Sequence, residues 1–454
     1  MTKLPARTKV LYGLADGGLA LLTATIQFFM LSYFSDVLRY DPAIVGMALM
    51  VGKLTWDAIN DPLFGYFSDR TRSRWGRRRP YLLFGAVPLG LVTWLLFSMP
   101  PGLAGAAAFV AVLGSFLLHD TLQTAVNVPY SALTPELTPD YDERTSLSTV
   151  RMIFSVVGYI LGGAMTTLIA GLFRDGLGWS EPAAYSGMGA VFGVVVAVTV
   201  LTTALSVRER PPSEVQPSKL APWPAFVESL RNRPFMSLMA AQFISSYAFT
   251  TLTSLLPFFL IYQLEMESQV PAVMLAMLGT TGLFLYPARW VAGRINKGPT
   301  YALGLFIASL AVIATFFLPH SPTPLVYVAA VVAGVGFSVQ WVCPWSMMPD
   351  VIEYDELRTG ERREGVYYGL WNFLTKFTSA LGVATSGWAL KLFGYVPNVA
   401  QTPRALLGIR IFFALAPAIA LLISLPILVR YPITRRSHAE LRARLAGGAG
   451  AAQA

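Results

Sequence analysis

Apolar stretches long enough to cross a lipid bilayer recur about twelve times along this chain of 454 residues. About 20 apolar residues are needed for one crossing, and they must form a helix because the bilayer offers no water to pair their backbone groups. The predicted spans are residues 10–38, 43–68, 80–99, 104–134, 148–173, 184–207, 236–262, 269–292, 300–319, 323–347, 366–393 and 406–430. The sequence therefore predicts an all-α polytopic membrane protein.

The composition supports this fold class and excludes several functions. The chain is 54% hydrophobic and 13% charged, whereas soluble domains are roughly 45–50% apolar and roughly 25% charged. One cysteine and three histidines cannot build a disulfide scaffold, a zinc site or an iron–sulfur site. We find no phosphate-binding loop, zinc signature or nucleophile elbow. We therefore predict that the protein is not an enzyme, is not driven by ATP and uses no cofactor apart from a coupling ion.

The basic residues predict the orientation of the spans. Most of the 34 lysines and arginines fall in one alternating set of connections. The opposite set holds only Arg39, Arg174, Lys391, Arg404 and Arg410. Because cytoplasmic connections carry the excess of Lys and Arg, both termini are predicted in the cytoplasm of an inner-membrane protein, with an even number of spans. This bias also accounts for the net charge of +9, so no nucleic-acid partner is expected.

A long polar interruption divides the spans six and six. The predicted parts are an N-terminal six-helix bundle over 1–207, a cytoplasmic central loop over 208–235, a C-terminal six-helix bundle over 236–431 and a cytoplasmic tail over 432–454. The connections after the second and eighth spans share a faint basic motif, which indicates a weak repeat. Two six-helix bundles with a binding site near the midplane are a recurring layout of transporters.

The second span carries the densest set of ionisable residues. Lys53, Asp57 and Asp61 follow one another every four residues, which places them on one helix face. Each such group costs about 2.5–3.5 kcal/mol in a span and is a functional hypothesis by default. Two carboxylates one turn apart repel each other, and a bound cation or a shared proton can relieve that repulsion. The alternative is a buried Lys53–Asp57 ion pair, with Asp61 capping the cytoplasmic loop.

Three further residues complete the predicted cation site. Thr124 and Asn127 share a face of the fourth span and could offer a hydroxyl and an amide oxygen to a hard cation. Lys376 is a second lone charge inside a span and could approach the acids of the second span. The predicted cation-binding residues are Asp57, Asp61, Thr124, Asn127 and Lys376.

A sugar-like substrate needs hydrogen-bonding groups and a flat aromatic face. Within the spans, the residues that could supply them are Asp16, Gln123, Tyr130, Arg151, Trp341, Trp345 and Asn372, with Gln340 and Trp371 as further candidates. Asp16 could instead reach the cytoplasmic interface. For any one Trp or Tyr, a position facing lipid is the alternative.

Three stretches of the sequence resemble a known transporter family. They are Asp57-Ala58-Ile59-Asn60-Asp61-Pro62 running into the arginine-rich residues 68–80, Asn127-Val128-Pro129-Tyr130 with Arg151, and Pro349-Asp350-Val351-Ile352-Glu353-Tyr354 with residues 360–365. Together they are similar to the signatures of the glycoside–pentoside–hexuronide:cation symporters of the major facilitator superfamily. The resemblance extends from about Tyr12 to Tyr431.

The resemblance implies a twelve-helix fold and an alternating-access symport of a sugar with a cation. It implies that Asp57 and Asp61 are the cation-binding acids, that Thr124 and Lys376 lie beside them, and that Arg151 and Trp341 are on the sugar side. It also implies an inner gate formed by Asp69, Arg70, Arg144, Asp350, Glu353, Arg362 and Arg363.

The chain departs from the family pattern at several positions. Leu19-Ala20, Asn127 and Ser131 replace a charged pair, an acid and a tryptophan of the melibiose carrier, and Lys53 adds a positive charge one turn from Asp57. The coupling cation is therefore open between Na⁺ and H⁺. We predict a monomer that carries a small-molecule sugar or glycoside. A cation-coupled carrier of lysophospholipid or another amphiphile, or a sensor that binds ligand without moving it, are the alternatives.

Overall fold

The computed structural model describes residues 4–137, 141–207, 229, 231–359, 364–438 and 440, and no strand occurs among them. The helices of the first half are α1 (Ala6–Ser32), α2 (Pro42–Thr55), α3 (Asp57–Arg70), α4 (Arg79–Leu96), α5 (Gly105–Leu137), α6 (Tyr141–Gly171) and α7 (Glu181–Ser206). Those of the second half are α8 (Arg233–Phe258), α9 (Val270–Leu283), α10 (Leu285–Ile295), α11 (Lys297–Phe316), α12 (Leu325–Thr359), α13 (Glu364–Leu392), α14 (Pro403–Arg410) and α15 (Ala416–Val429).

Four helices continue into a single π-helical turn at Tyr33–Val37, Leu172–Gly176, Phe259–Gln263 and Ile411–Leu415. With these turns included, ten helical segments of the described residues are long and apolar enough to cross a membrane, and a pair bent by 42° would supply an eleventh. Helix α13 coincides with the eleventh predicted span, 366–393, and carries Asn372 and Lys376 in its interior. The predicted all-α polytopic membrane protein is confirmed.

Two predicted spans contain an irregularity that hydropathy did not indicate. The break in the second span is a single residue, Trp56, between α2 and α3. Ile59 N–H and Asn60 N–H both donate to Trp56 C=O at 2.9 Å, so a tighter i→i−3 turn overlaps the α-helical bond and the span continues. The eighth span bends by 42° between α9 and α10. Pro287, near the start of α10, has no N–H to donate to the preceding turn.

The first of two compact units comprises the described residues of Met1–Val215, Thr253–Leu275 and Val383–Ile409. Within it, α1 packs on α6 and on α7, and α4 packs on α7. A Cβ at Gly158 would lie 2.0 Å from Gly17 C=O, and one at Gly193 would lie 2.3 Å from Gly90 C=O. These glycines therefore let the helix backbones touch.

The second unit comprises the described residues of Gln216–Leu252, Ala276–Gly382 and Arg410–Ala454. Its centre is α11, which packs against α12 and α15. The buried Tyr301 hydroxyl lies 2.7 Å from Ser245 Oγ and 3.0 Å from Gln242 Oε1. The predicted division into bundles over 1–207 and 236–431 stays a prediction.

Candidate functional site

Helix α1 presents a row of polar side chains to α5 and α6 within the first unit. Asp16, Thr23 and Gln27 lie seven and four residues apart, a spacing that keeps them on one side of the helix. Gln123 Nε2 of α5 donates to Thr23 Oγ1 at 3.1 Å, and the Tyr159 hydroxyl of α6 donates to Gln27 Oε1 at 2.9 Å. We call these residues, together with Arg151, the α1 polar row.

The strongest contact of the row joins Asp16 to Arg151. Arg151 Nε lies 2.5 Å from Asp16 Oδ2, and Nη2 lies 3.3 Å from Oδ1, so the guanidinium meets both carboxylate oxygens. The two side chains are 16% and 18% exposed. Bidentate ion pairs between a guanidinium and a carboxylate are both strong and directional. Arg151 also donates to Thr134 Oγ1 at 2.5 Å, which fixes the guanidinium plane.

Two fully buried tyrosines hold this ion pair in position. The Tyr130 hydroxyl lies 2.7 Å from Asp16 Oδ2 and 2.9 Å from Tyr12 C=O, and the Tyr12 hydroxyl donates to Tyr130 C=O at 2.6 Å. Arg151 Cζ lies 4.6 Å from the centre of the Tyr130 ring. Because Tyr130 is buried among these groups, its ring supports the ion pair here and presents no open face. Tyr12 and Thr134 were missed by the sequence analysis, since both look like ordinary residues near a helix end.

The break between α2 and α3 lies where the cation site was predicted. Trp56 Nε1 donates to Thr121 Oγ1 at 2.7 Å, and Asn60 Nδ2 donates to Asp120 Oδ2 at 2.5 Å. These two bonds fasten the start of α3 to α5 on either side of Asp57 in sequence. The side chain of Asp57 lies outside the described part of the structure.

The remaining predicted ligands of this region are on α3 and α5. Asp61 is half-buried, Thr124 is buried, and Asn127 is exposed. Asp120 precedes Thr124 by four residues and Asn127 by seven, so the three residues share one face of α5. The sequence analysis missed Asp120, although an acid inside an apolar span was a sufficient signal. Asp120 therefore adds a second carboxylate to that of Asp61 in a region that could offer oxygen ligands to a cation.

The predicted substrate residues of the second unit form an aromatic group on α12 and α13. Trp341 is 36% exposed and Trp345 is 50% exposed. The Trp345 ring stacks on Tyr368 at 6.4 Å and meets the edge of Trp371 at 6.0 Å. Asn372 of α13 is exposed, and Lys376, one turn later, is half-buried. These residues therefore lie near one another within their own unit.

The predicted gate acids are paired with residues that sequence reasoning did not assign to them. Lys297 Nζ lies 2.5 Å from Asp350 Oδ2. His438 Nε2 lies 2.9 Å from Glu353 Oε2 and 3.5 Å from Asp350 Oδ1. Burial, reinforced by the Asp350 carboxylate, raises the pKa of Tyr431.

The predicted arginine side of the gate is described in part. The Arg70 guanidinium lies 3.6 Å from the centre of the Tyr66 ring, where a cation–π contact holds it. The side chains of Asp69 and Arg144 and the whole of Arg362 and Arg363 lie outside the described residues. Their role in a gate stays a prediction.

The chain is similar to known membrane transporters over almost its whole length. Residues 11–435 match the family described as MFS/sugar transport protein. The chain is 31% identical to an uncharacterized symporter of Synechocystis sp., with 98% of this chain and 97% of that protein covered. It is 28% identical to a glucuronide carrier protein homolog of Escherichia coli, with 96% and 94% covered.

Two further comparisons extend the range of relatives. The chain is 25% identical to the sodium-dependent lysophosphatidylcholine symporter 1 of Xenopus tropicalis, with 96% of this chain and 89% of that protein covered. The structure resembles the crystal structure of a nucleoside transporter with a TM-score of 0.68 at 14% identity, with 92% of this chain and 99% of that chain covered. At that identity the likeness concerns the fold alone.

Proposed function

The chain belongs to the MFS/sugar transport protein family, among the glycoside–pentoside–hexuronide:cation symporters, and from this membership we propose that it carries a sugar or glycoside together with Na⁺ or H⁺ by alternating access. It is an integral multi-pass membrane protein. We place it in the inner membrane as a monomer with both termini in the cytoplasm, without enzymatic activity. A relative described as a glucuronide carrier homolog supports a sugar as the substrate class.

The observation that carries the proposal is the α1 polar row. Its amides, hydroxyls, carboxylate and guanidinium come from three helices and alternate donors with acceptors. Sugar hydroxyls both donate and accept, so they can exchange with these contacts one for one. In the proposal, a hydroxyl pair of the sugar binds Asp16 and Arg151, and Gln123 binds the next hydroxyl along. Trp341, Trp345 and Asn372 of the second unit stay predicted substrate residues.

Coupling is assigned to the acids around the break in the second span. In the proposal, a cation or proton binds Asp57 and Asp61 with oxygen ligands from Thr124 and Asn127, and Lys376 compensates the site when the cation has left. Neutralising the acids favours substrate binding, and bound substrate favours the cation by the same factor. Asp350, Glu353 and the arginine-rich loops then close the inner side.

The test of the proposal is transport by purified protein in liposomes. Wild type is expected to exchange labelled sugar for unlabelled sugar without a gradient and to accumulate it with an inward Na⁺ or H⁺ gradient. Asp57→Asn should lose accumulation while it keeps exchange, because the substrate site remains. Asp175→Asn, at an exposed position, is the matched control and should do both. Accumulation by Asp57→Asn at the wild-type level would refute the coupling assignment.

A second candidate substrate class is a lysophospholipid or a similar amphiphile. The similarity to a lysophosphatidylcholine symporter over 96% of this chain favours it. Competition of lysophosphatidylcholine and of a panel of glycosides against one labelled sugar separates the two candidates. Inhibition by glycosides alone supports the sugar, and exchange of labelled lysophosphatidylcholine alone supports the amphiphile. Binding without any exchange would indicate a sensor.

A further inference from the structure

A second polar site lies at the other end of α1, within the first unit. A cavity of about 680 Å³ is bounded by parts of residues 29–37, 164–185 and 257–275 and by Asn398. We call it the outer cavity, because the distribution of basic residues assigns these helix ends to the outer side of the membrane. Asp36 and Asp16 are 20 residues apart on α1 and its final turn, which is about 30 Å at 1.5 Å per residue. The cavity is therefore separate from the Asp16–Arg151 pair.

The polar end of the outer cavity contains an incompletely satisfied carboxylate. Asp36 is 6% exposed and lines the cavity. Its Oδ1 accepts a hydrogen bond from the Tyr395 hydroxyl, which lies 3.0 Å from the Tyr262 hydroxyl. Its Oδ2 has no hydrogen-bond partner among the residues that the structure describes. A buried carboxylate oxygen without a partner is costly, and a positive charge close to the carboxylate lowers that cost.

The tyrosine partner keeps Asp36 an acceptor. Burial, with the Asp36 carboxylate as the next cause, raises the pKa of Tyr395 well above its ordinary value. Tyr395 therefore stays protonated and donates its proton to Oδ1. Asn398 Nδ2 donates to the backbone C=O of Asp36 at 2.7 Å, which fixes the turn that carries the carboxylate.

The charges of the outer cavity are predominantly negative. Its described lining contains the carboxylates of Asp36, Asp175, Glu181 and Glu267 and one guanidinium, that of Arg174. Arg174 lies 2.8 Å from Asp175 and 2.7 Å from Glu267, so it is shared by two of the four acids. An anionic ligand is disfavoured by this balance, and a cationic group is attracted.

The rest of the cavity wall is largely apolar and includes exposed leucine side chains. Leu168, Leu172 and Leu275 line the cavity and are 41%, 63% and 50% exposed. The rings of Tyr185 and Tyr262 lie among the lining residues nearer the acids. Aromatic faces attract alkylammonium groups, and leucine side chains accept an alkyl chain. A small inorganic cation would leave this wall unused.

We propose that the outer cavity binds an amphiphile with an ammonium head group, with the head beside the acidic lining residues Asp36, Glu181 and Glu267 and the alkyl chain along Leu168, Leu172 and Leu275. The volume lies within the range of about 300–1,000 Å³ that is usual for small-molecule pockets. The head group compensates the negative charge of the buried Asp36 side chain, and the alkyl chain covers leucine surface. The inference goes beyond sugar transport and does not depend on it.

The direct test is the binding of radiolabelled decyltrimethylammonium to the full-length protein in nanodiscs of phosphatidylglycerol, a lipid whose head group carries no ammonium. Empty nanodiscs measure partition into the bilayer. Wild type is expected to show saturable binding above that background. Tetramethylammonium, which has the head without the chain, should compete at least about tenfold more weakly, because apolar burial contributes roughly 0.8 kcal/mol per CH₂. Absence of saturable binding, or equal competition by tetramethylammonium, overturns the proposal.

Variants identify the head-group contact. Asp36→Asn is expected to weaken binding about tenfold or more, and Glu181→Gln, which leaves the Tyr395 contact intact, about threefold. Asp41→Asn is the matched control, because Asp41 follows Asp36 by five residues, pairs with Lys391 and does not line the cavity. Equal affinity of Asp36→Asn and wild type would refute the assignment.

The same assay identifies the source of the head group. Nanodiscs that contain phosphatidylethanolamine present an ammonium on a bilayer lipid. Reduced binding of the probe in those discs supports occupancy by a membrane lipid, and unchanged binding supports occupancy by a free amphiphile. Both results keep the ammonium site at Asp36. Asp16→Asn should bind the probe as wild type does, so failure of the sugar site and failure of the outer cavity are distinguishable.

Discussion

Two buried carboxylates on α1 and its final turn have opposite surroundings. Asp16 meets a guanidinium at both of its oxygens and a tyrosine hydroxyl at one of them. Asp36 is held at Oδ1 by Tyr395, and its Oδ2 has no hydrogen-bond partner among the described residues. A buried charge must be compensated, and Asp16 is compensated within the protein. No described cation does the same for Asp36.

This difference indicates what each site can bind. A ligand at Asp16 competes with Arg151 and must offer both donors and acceptors, as a neutral polyol does. A ligand at Asp36 needs only a positive charge. A protonated amine or an alkylated ammonium would supply it. The comparison therefore assigns a neutral, hydroxyl-rich ligand to the α1 polar row and a cation to the outer cavity.

Arg151→Ala is expected to have the largest effect, because it leaves Asp16 buried without its counter-ion. Removing one partner of a buried pair costs about 3–5 kcal/mol. We expect a lower free energy of unfolding in mild detergent and loss of sugar binding. The double variant Asp16→Asn with Arg151→Ala should recover part of the stability and none of the binding. If Arg151→Ala has the same free energy of unfolding as wild type, other groups compensate Asp16 and the contrast with Asp36 fails.

Tyr395→Phe is the next largest expected effect and tests the opposite end of α1. It removes the hydrogen bond to Asp36 Oδ1. Hydrogen bonds to charged groups contribute about 1.5–3 kcal/mol, so the melting temperature should fall by less than for Arg151→Ala. Tyr262→Phe removes a hydroxyl that contacts Tyr395 and serves as the control with a smaller loss. A larger loss for Tyr262→Phe would show that Asp36 is held chiefly through Tyr262.

The sequence predicted the helices well and the pairing of their side chains less well. Hydropathy locates α1 because twenty apolar residues in lipid have no other structure to form. Spacing by four predicts Asp57 and Asp61 on one helix face, and this stays a prediction because the Asp57 side chain lies outside the described residues. The Asp16–Arg151 contact joins residues 135 positions apart, and no local pattern encodes a helix pairing of that separation.

Two features of the sites could not be predicted from the sequence, each for its own physical reason. The break at Trp56 involves no proline or glycine at that residue, and the side-chain bond from Trp56 to Thr121 that accompanies it is long-range. Asp36 lies at the end of the first span. A charge is expected there in the membrane interface, so the sequence does not indicate that Asp36 is buried. Its burial results from residues 395–398, which a reading of α1 by itself cannot include.

Gln123→Ala tests how far the α1 polar row extends from the ion pair. Gln123 donates to Thr23, and neither residue is charged. We expect about a three- to tenfold loss of sugar affinity in exchange assays, which corresponds to one neutral hydrogen bond of about 0.5–1.5 kcal/mol. Stability should change little, because water can reach the half-buried amide position. Wild-type affinity in Gln123→Ala would confine the site to Asp16 and Arg151.

Asp36→Asn is expected to have the smallest effect on stability, and this makes it the sharpest comparison with Asp16. The amide oxygen of asparagine can still accept from Tyr395, and no described cation loses its partner. Removing a buried charge that lacks a counter-ion also relieves desolvation, so the two changes oppose each other. The free energy of unfolding should remain within about 1 kcal/mol of wild type. Asp16→Asn, which strands Arg151, should lose several times more. A large loss in Asp36→Asn would mean that a cation already compensates this carboxylate, and the outer cavity would then resemble the α1 polar row.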